Sequence, residues 1–531
     1  MDGGISPAVR CDDSFSSFSP PLSKISLNMH SDPDTFSQLA SAISGLHLQP
    51  PPENVVPSES IVTQAREKIR KTLTSSGVGF EEAISHIRED LAPGFNGSSR
   101  SPNYYGFVTG GSTPAAALAD NLVTIYDQNA AVHLPQESIA TNVEDSATSL
   151  LAQLLQLDPS QWPHRLFTTG ATASNVLGLA CGREYAIAEA SAHRSDTASS
   201  VGELGIVEAM RRAGIDKIQI LTTVPHSSLG KAAGILGLGR ASVVDVGLPD
   251  ASHKFDILQL KKLLAQPGTA SIVAVSASDV NTGLFATSGL EEMQEIRKLA
   301  DMYGAWIHVD GAFGIFGRIL TSPVHSSIIS ACAGLELADS ITGDAHKLLN
   351  VPYDCGFFFS RDRDIAERVF QNPNAPYLST GAATDALVSP SNVGLENSRR
   401  LRALPVYASL IAYGADGYRY MLERQIELSR GIAEYIIDSP DFELLPESGH
   451  SKDEVLKGVY IIVLFRAKDE GLNKELTSRI KAGHKIYVSG TAWDRKPACR
   501  FAVSNWMTDA KRDLPIIKEV LTGVVKAWKK A

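Results

Sequence analysis

The 531-residue chain lacks the marks of a disulfide framework or a structural metal site. Its five cysteines, Cys11, Cys181, Cys332, Cys355 and Cys499, lie far apart and form no CxxC pair. Reduced thiols of a cytoplasmic protein are the expectation, with no bound metal. No apolar run approaches the roughly 18–20 residues of a membrane helix. The first residues lack the apolar stretch of a secretory signal, and Asp12 and Asp13 count against a transit peptide. Basic charge is not in excess. Lys and Arg number 49 against 59 Asp and Glu, a formal −10, so neither nucleic acid nor a membrane surface is expected as partner. No internal repeat is visible. No GxGxxG opens a helix after a strand, and GILGLGR at 234–240 is only a loose echo. A Rossmann-type dehydrogenase therefore ranks last.

What is present is ordinary globular composition, 43% apolar and 20% charged, at a length that calls for one large α/β domain plus satellites. Residues 1–55 are rich in Ser, Pro and Asp and read as a disordered tail. A helical segment follows over 56–135. From 136 to 435, short β-rich runs alternate with helical stretches: RLFTT (165–169), KIQIL (217–221), ASVVDV (241–246), SIVAVS (271–276), AWIHVD (305–310), DSITG (339–343) and CGFFFS (355–360). Such alternation predicts a mostly parallel sheet with helices on both faces. Ser288 and Glu291 suggest a capping box opening a helix that Gly304 stops. Residues 436–531 (GVYIIVLFRA, KIYVSGTAW, CRFAVSN, then a terminal helix) read as a smaller α+β domain.

In open α/β sheets ligands gather at the carboxyl ends of strands, and four segments fall there. FTTGATASN (167–175) turns from strand to helix at Gly170-Ala171-Thr172, where free N–H groups and a hydroxyl can cradle a phosphate. Taken alone, such a turn is more often a simple helix cap. Asp310, in Trp306-Ile307-His308-Val309-Asp310-Gly311-Ala312, ends an apolar strand where a carboxylate needs a cationic partner; a protonated pyridine nitrogen is one. Gly311 and Ala312 leave room for a flat ring. A capping or salt-bridged aspartate fits equally well. Lys347 follows a strand beside His346, the position of a Schiff-base amine, although most lysines are solvated surface charges. His226, before Ser227 and Ser228, offers a flat imidazole for stacking, although a lone histidine is more often structural. Together, in this order, they supply what pyridoxal 5′-phosphate (PLP) requires: phosphate anchor, ring face, pyridinium partner and amine.

FTTGATASN, PHSSLGKAA, HVDGAFG and GDAHKLLNVPYDCG resemble the group II PLP-dependent amino-acid decarboxylases, a family that includes aromatic-amino-acid, tyrosine and glutamate decarboxylases. The resemblance runs from about 100 to 525. It implies PLP fold type I (aspartate-aminotransferase-like), with a large α/β domain, a smaller C-terminal α+β domain and a homodimer. It places the cofactor on Lys347, the ring-nitrogen partner at Asp310, the stacking ring at His226, and the phosphate contacts at Ala171, Thr172 and Asp344. Ala312 and His346 fall beside the cofactor. Tyr377 matches a loop tyrosine that returns a proton to the substrate. Thr109 and Phe107 lie in the segment that meets the substrate, and Tyr104, Tyr105 and Val108 could line an aromatic-friendly pocket or belong to the core. One departure is Gly-Ala-Thr-Ala-Ser-Asn where many relatives read Gly-Gly-Ser-Glu-Ala-Asn. PLP binding is expected to survive it, because backbone N–H groups and one hydroxyl make the contacts.

The implied reaction is loss of the α-carboxylate of an L-amino acid as CO₂, leaving the amine. Other PLP chemistry on the same scaffold (aldehyde synthesis, desulfination, transamination) and a regulatory PLP-binding pseudoenzyme are the alternatives. Tyr377 weighs against the aldehyde branch, whose members tend to carry Phe there. No basic clamp for an acidic side chain can be placed from sequence.

Overall fold

The computed structural model describes residues 54–192, 199–372 and 387–531. From Pro52 onward the chain forms one unit. Its strands are β1 (Tyr104–Tyr105), β2 (His164–Thr168), β3 (Lys217–Thr222), β4 (Val243–Asp245), β5 (Gly247–Leu248), β6 (Ala251–Phe255) and β7 (Thr269–Ser276). They continue as β8 (Trp306–Asp310), β9 (Ser340–Gly343), β10 (Gly356–Ser360), β11 (Phe442–Leu445), β12 (Ile462–Ala467), β13 (Tyr487–Trp493) and β14 (Lys496–Ala502).

Seven of them form a sheet in the order β2-β10-β9-β8-β7-β3-β4. Every pair from β9 through β4 is parallel, while β10 runs antiparallel to both its neighbours. All seven expected strands are present. Strands buried on both faces read as continuous apolar runs, and Phe357, Phe358 and Phe359 of β10 are each fully buried. The carboxyl ends of β8 and β9 are level, with Asp310 opposite Thr342, and Ser276 of β7 lies opposite Asp310.

The helix expected after Ser288 spans Leu290–Tyr303 and ends on Gly304, whose φ of 63° is the left-handed conformation glycine supplies without Cβ strain. The capping box does not form. The Ser288 N–H donates to Glu292 Oε2 at 2.7 Å, one residue beyond the expected Glu291.

The second sheet has the order β1-β13-β14-β12-β11. Its edge comes from far upstream: Tyr104 and Tyr105 pair in parallel with Tyr487 and Val488. A helical segment spanning Ala403–Asp438, broken by a kink at Gly414, leads into this half and crosses the boundary expected at 435, and the terminal helix covers Ala510–Lys530. Most of the expected tail lies outside the described residues, but Val55 is buried and donates its N–H to the His484 carbonyl at 2.9 Å. Among the described residues no helix is long and apolar enough to cross a membrane.

Candidate active site

Strand alternation puts Trp306, His308 and Asp310 of β8 on one face, towards the helix Ala171–Ala192. Asp310 accepts from Asn175 Nδ2 at 3.0 Å through Oδ2, and from the Ala312 N–H at 3.2 Å through Oδ1. Both of its oxygens thus face N–H donors, the arrangement that suits a carboxylate anion.

One strand over, β9 ends at Gly343 and a short helix, Ala345–Leu348, carries Lys347. Lys347 Nζ lies 2.8 Å from Asp344 Oδ2 and 5.6 Å from the centroid of the Phe313 ring. Asp344 Oδ1 accepts the Ala171 N–H at 2.6 Å, joining the lysine to the start of the helix Ala171–Ala192. Burial alone would raise the Asp344 pKa; the charges of Lys347 and His346 and the bonds from Lys347 and Ala171 outweigh it and hold the carboxyl below its usual range. The Ser174 N–H is taken by the Gly170 carbonyl, so the amides of Thr172 and Ala173 are the first-turn donors left without an intrahelical acceptor.

His226 caps the helix Ser227–Ile235 after β3. Its Nδ1 accepts from the Ser228 N–H at 3.2 Å and meets Ser228 Oγ at 2.7 Å. A backbone amide can only donate, so Nδ1 is the bare nitrogen of this ring. Desolvation lowers the His226 pKa, aided by Lys347 and opposed by Asp310, which favours the neutral ring. His346 is likewise lowered by burial, against the pull of Asp344. Its ring packs on Tyr353, with centroids 4.4 Å apart.

These groups face one cavity of about 590 Å³, whose lining includes Phe107, Ala171, Thr172, His226, Asp310, Ala312, Asp344, His346 and Lys347. Thr109 is buried but does not line it, and Tyr377 lies outside the described residues. Tyr104 and Tyr105 are core residues. Tyr104 stacks on Tyr487 with centroids 4.5 Å apart, and Tyr105 packs in the C-terminal core, because both belong to an edge strand of that sheet. A larger groove of about 970 Å³ beside the terminal helix contains none of these groups.

The structure adds cavity residues that sequence reasoning missed: Ser276, Phe313, Tyr353 and Arg500. Arg500 is buried on β14, reaches the Phe107 carbonyl at 3.3 Å and leaves Nε without a partner among the described residues. Only the fold could bring it here, since 153 positions of chain separate it from Lys347.

The donor set fits PLP. Free helix amides suit a phosphate, a neutral imidazole and Ala312 suit the two faces of a flat ring, an anionic carboxylate suits a pyridinium, and a primary amine suits an aldehyde. That combination is the set of groups a PLP enzyme of fold type I requires. The chain belongs to the pyridoxal-dependent decarboxylases: the family's conserved domain matches residues 63–452. An L-2,4-diaminobutyrate decarboxylase of Acinetobacter baumannii is 29% identical over 334 residues, 62% of this chain and 60% of that enzyme. The matched stretch thus spans less than two thirds of that relative's length. Tyrosine decarboxylase 2 of Arabidopsis thaliana is 24% identical over 450 residues, covering 81% of this chain and 75% of that one. The crystal structure of Rhodiola rosea 4-hydroxyphenylacetaldehyde synthase superimposes with a TM-score of 0.73 at 18% identity, covering 93% and 98% of the two chains, and shares the fold.

Proposed function

We propose that this protein removes the α-carboxylate of an L-amino acid as CO₂ and releases the amine, with PLP held by Lys347. The observation that carries this reading is the convergence of Lys347, Asp310, His226 and the Ala171–Thr172 helix start on one cavity. Bound there, PLP would supply an electron-accepting ring for the pair left on Cα when CO₂ departs. The protein's own groups do the rest. Asp310 would offer a negative charge to the ring nitrogen, His226 would pack on the ring, and the amides of Thr172 and Ala173 would hold the phosphate. Tyr377 returns a proton to Cα. The walls of the cavity orient the scissile bond and exclude water.

Arg500 is the cation we assign to the substrate's carboxylate side, and Phe107, Phe313 and Tyr353 favour a planar apolar side chain. A salt bridge to the departing carboxylate is weakened as neutral CO₂ forms, so Arg500 positions the substrate more than it accelerates the reaction. The test is incubation of PLP-loaded protein with tyrosine, tryptophan, aspartate, glutamate and 2,4-diaminobutyrate, measuring CO₂, amine and aldehyde. Equimolar CO₂ and amine from the aromatic acids is expected. Turnover of the acidic pair alone would move Arg500 to side-chain recognition and overturn the aromatic assignment. The absence of CO₂ from every L-amino acid would overturn the reading itself.

We also infer a homodimer. Its support is an apolar stripe on the helix Pro114–Tyr126, where Leu118, Leu122 and Ile125 are 65%, 40% and 66% exposed at helical spacing.

A further inference from the structure

Behind Asp310 lies a chain of buried polar groups that the proposed reaction does not use directly. Trp306 Nε1 is 2.8 Å from Ser340 Oγ, and Ser340 Oγ is 2.8 Å from His308 Nδ1. His308 Nε2 is 2.9 Å from Asn175 Oδ1, and Asn175 Nδ2 bonds Asp310 Oδ2 at 3.0 Å and Ser228 Oγ at 3.1 Å. Ser228 in turn meets His226. His308, Asn175 and Ser340 are fully buried, so none of them can turn to water for a different partner.

The direction of every bond follows from its ends. Asp310 as a carboxylate can only accept, so Asn175 turns its Nδ2 to Asp310 and Ser228 and its Oδ1 to His308. His308 Nε2 therefore carries the proton of the neutral ring and donates to Asn175 Oδ1. Nδ1 is then bare, so Ser340 Oγ gives it its proton and accepts the indole N–H of Trp306. Ser228, accepting from Asn175 and pinned by its own backbone N–H on His226 Nδ1, gives its hydroxyl proton to that ring. Reversing a bond along the chain leaves two buried donors or two buried acceptors face to face, which costs the desolvation of both.

We propose that Trp306, Ser340, His308 and Asn175 form a one-way hydrogen-bond relay that holds Asp310 as an acceptor-only carboxylate and, through the Ser228 hydroxyl, reinforces the Nε2–H tautomer that the Ser228 backbone amide sets on His226. They are positioning residues, absent from the lining of the cavity and acting through Asp310 and His226. Burial pushes the His308 pKa down to about 4 against the pull of Asp310, so the ring is neutral through the physiological range, as a one-way relay needs. The sequence builds the relay economically. His308 and Asp310 are two apart on one strand face, Ser340 is the cross-strand partner of His308, and Asn175 and Gly178 share one face of the helix. A Cβ at Gly178 would overlap the His308 ring, so a glycine there lets the helix close on the imidazole.

This inference rests on the assignment of Asp310 to the cofactor nitrogen, and the two can fail separately. The test is spectrophotometric titration of the full-length protein with PLP, reading the Kd and the position of the visible band, for the wild type and five variants. Asp310→Asn reports on the underlying assignment. Ser340→Ala, His308→Leu and Asn175→Asp break the relay at three points, the last by turning a donor into an acceptor against Asp310. Ser340→Thr keeps the hydroxyl. We expect Asp310→Asn and Asn175→Asp to weaken binding most, Ser340→Ala and His308→Leu to weaken it roughly tenfold with a shifted band, and Ser340→Thr to restore both. A wild-type response from Asp310→Asn would overturn the cofactor assignment and the relay with it. A changed Asp310→Asn with unchanged Ser340→Ala and His308→Leu, each folded by its circular dichroism, would overturn the relay alone. Should a relay variant fail to fold, Trp306→Phe, which removes only the indole donor, decides in its place.

Discussion

We propose that a single phenol separates two outcomes on this scaffold. Tyr377 is assigned the proton that completes the amine, and Tyr377→Phe should keep the visible PLP band while shifting product from amine to aldehyde with uptake of O₂. Unchanged amine yield with no O₂ consumed would remove Tyr377 from that role. At the same scale, Gly178→Ala is a clean steric probe. Alanine is about 1 kcal/mol better than glycine within a helix, yet here its methyl meets the His308 ring. A net loss of roughly 1–3 kcal/mol in urea unfolding is expected; a gain would mean that the ring can move aside. Lys347, Asp310, His226 and the Ala171–Thr172 turn were legible from sequence because each ends or follows a marked strand. Asn175 and His308 lie inside FTTGATASN and HVDG, but their partnership depends on how the helix crosses β8. Arg500 carried no local signal at all.

Elements were legible where periodicity was strong. The seven strands of the large sheet follow from apolar runs, because helices cover both faces and no polar alternation blurs them. The antiparallel sense of β10 was not, since strand direction is set by the connection and not by the residues within it. Nor was β1, a two-residue strand whose tyrosines suit a pocket or a core equally by sequence and are assigned to the core by their pairing in the C-terminal sheet. The helix Pro114–Tyr126 makes its own prediction. A carboxylate at Leu118 or Ile125 would be buried unpaired in the inferred dimer, so Leu118→Asp should weaken self-association by at least about a hundredfold. Light scattering across a dilution series reads this directly. A wild-type protein that is monomeric at every concentration would contradict the dimer.

Across the whole molecule, we propose that the small domain is residues 436–531 completed by β1, so that the segment bearing Phe107 ties both halves to the cavity. Buried imidazoles give the fold a pH signature. Burial lowers His164 and His308 to about 4 from an unfolded value near 6.5. Between those values the unfolded chain binds more protons than the folded one, so their contribution is complete above about pH 6.5 and is lost as pH falls towards 4. The thermal midpoint should decline steadily through that window; a flat profile from pH 7 to pH 4.5 would show that these rings are not held neutral.

The most direct measurement is borohydride reduction of the PLP-loaded protein, followed by proteolysis and mass spectrometry. A pyridoxyl adduct on the peptide containing Lys347, lost together with the visible band in Lys347→Ala, is the predicted result. An adduct on another lysine, or a colourless protein with no adduct at saturating PLP, would contradict the account.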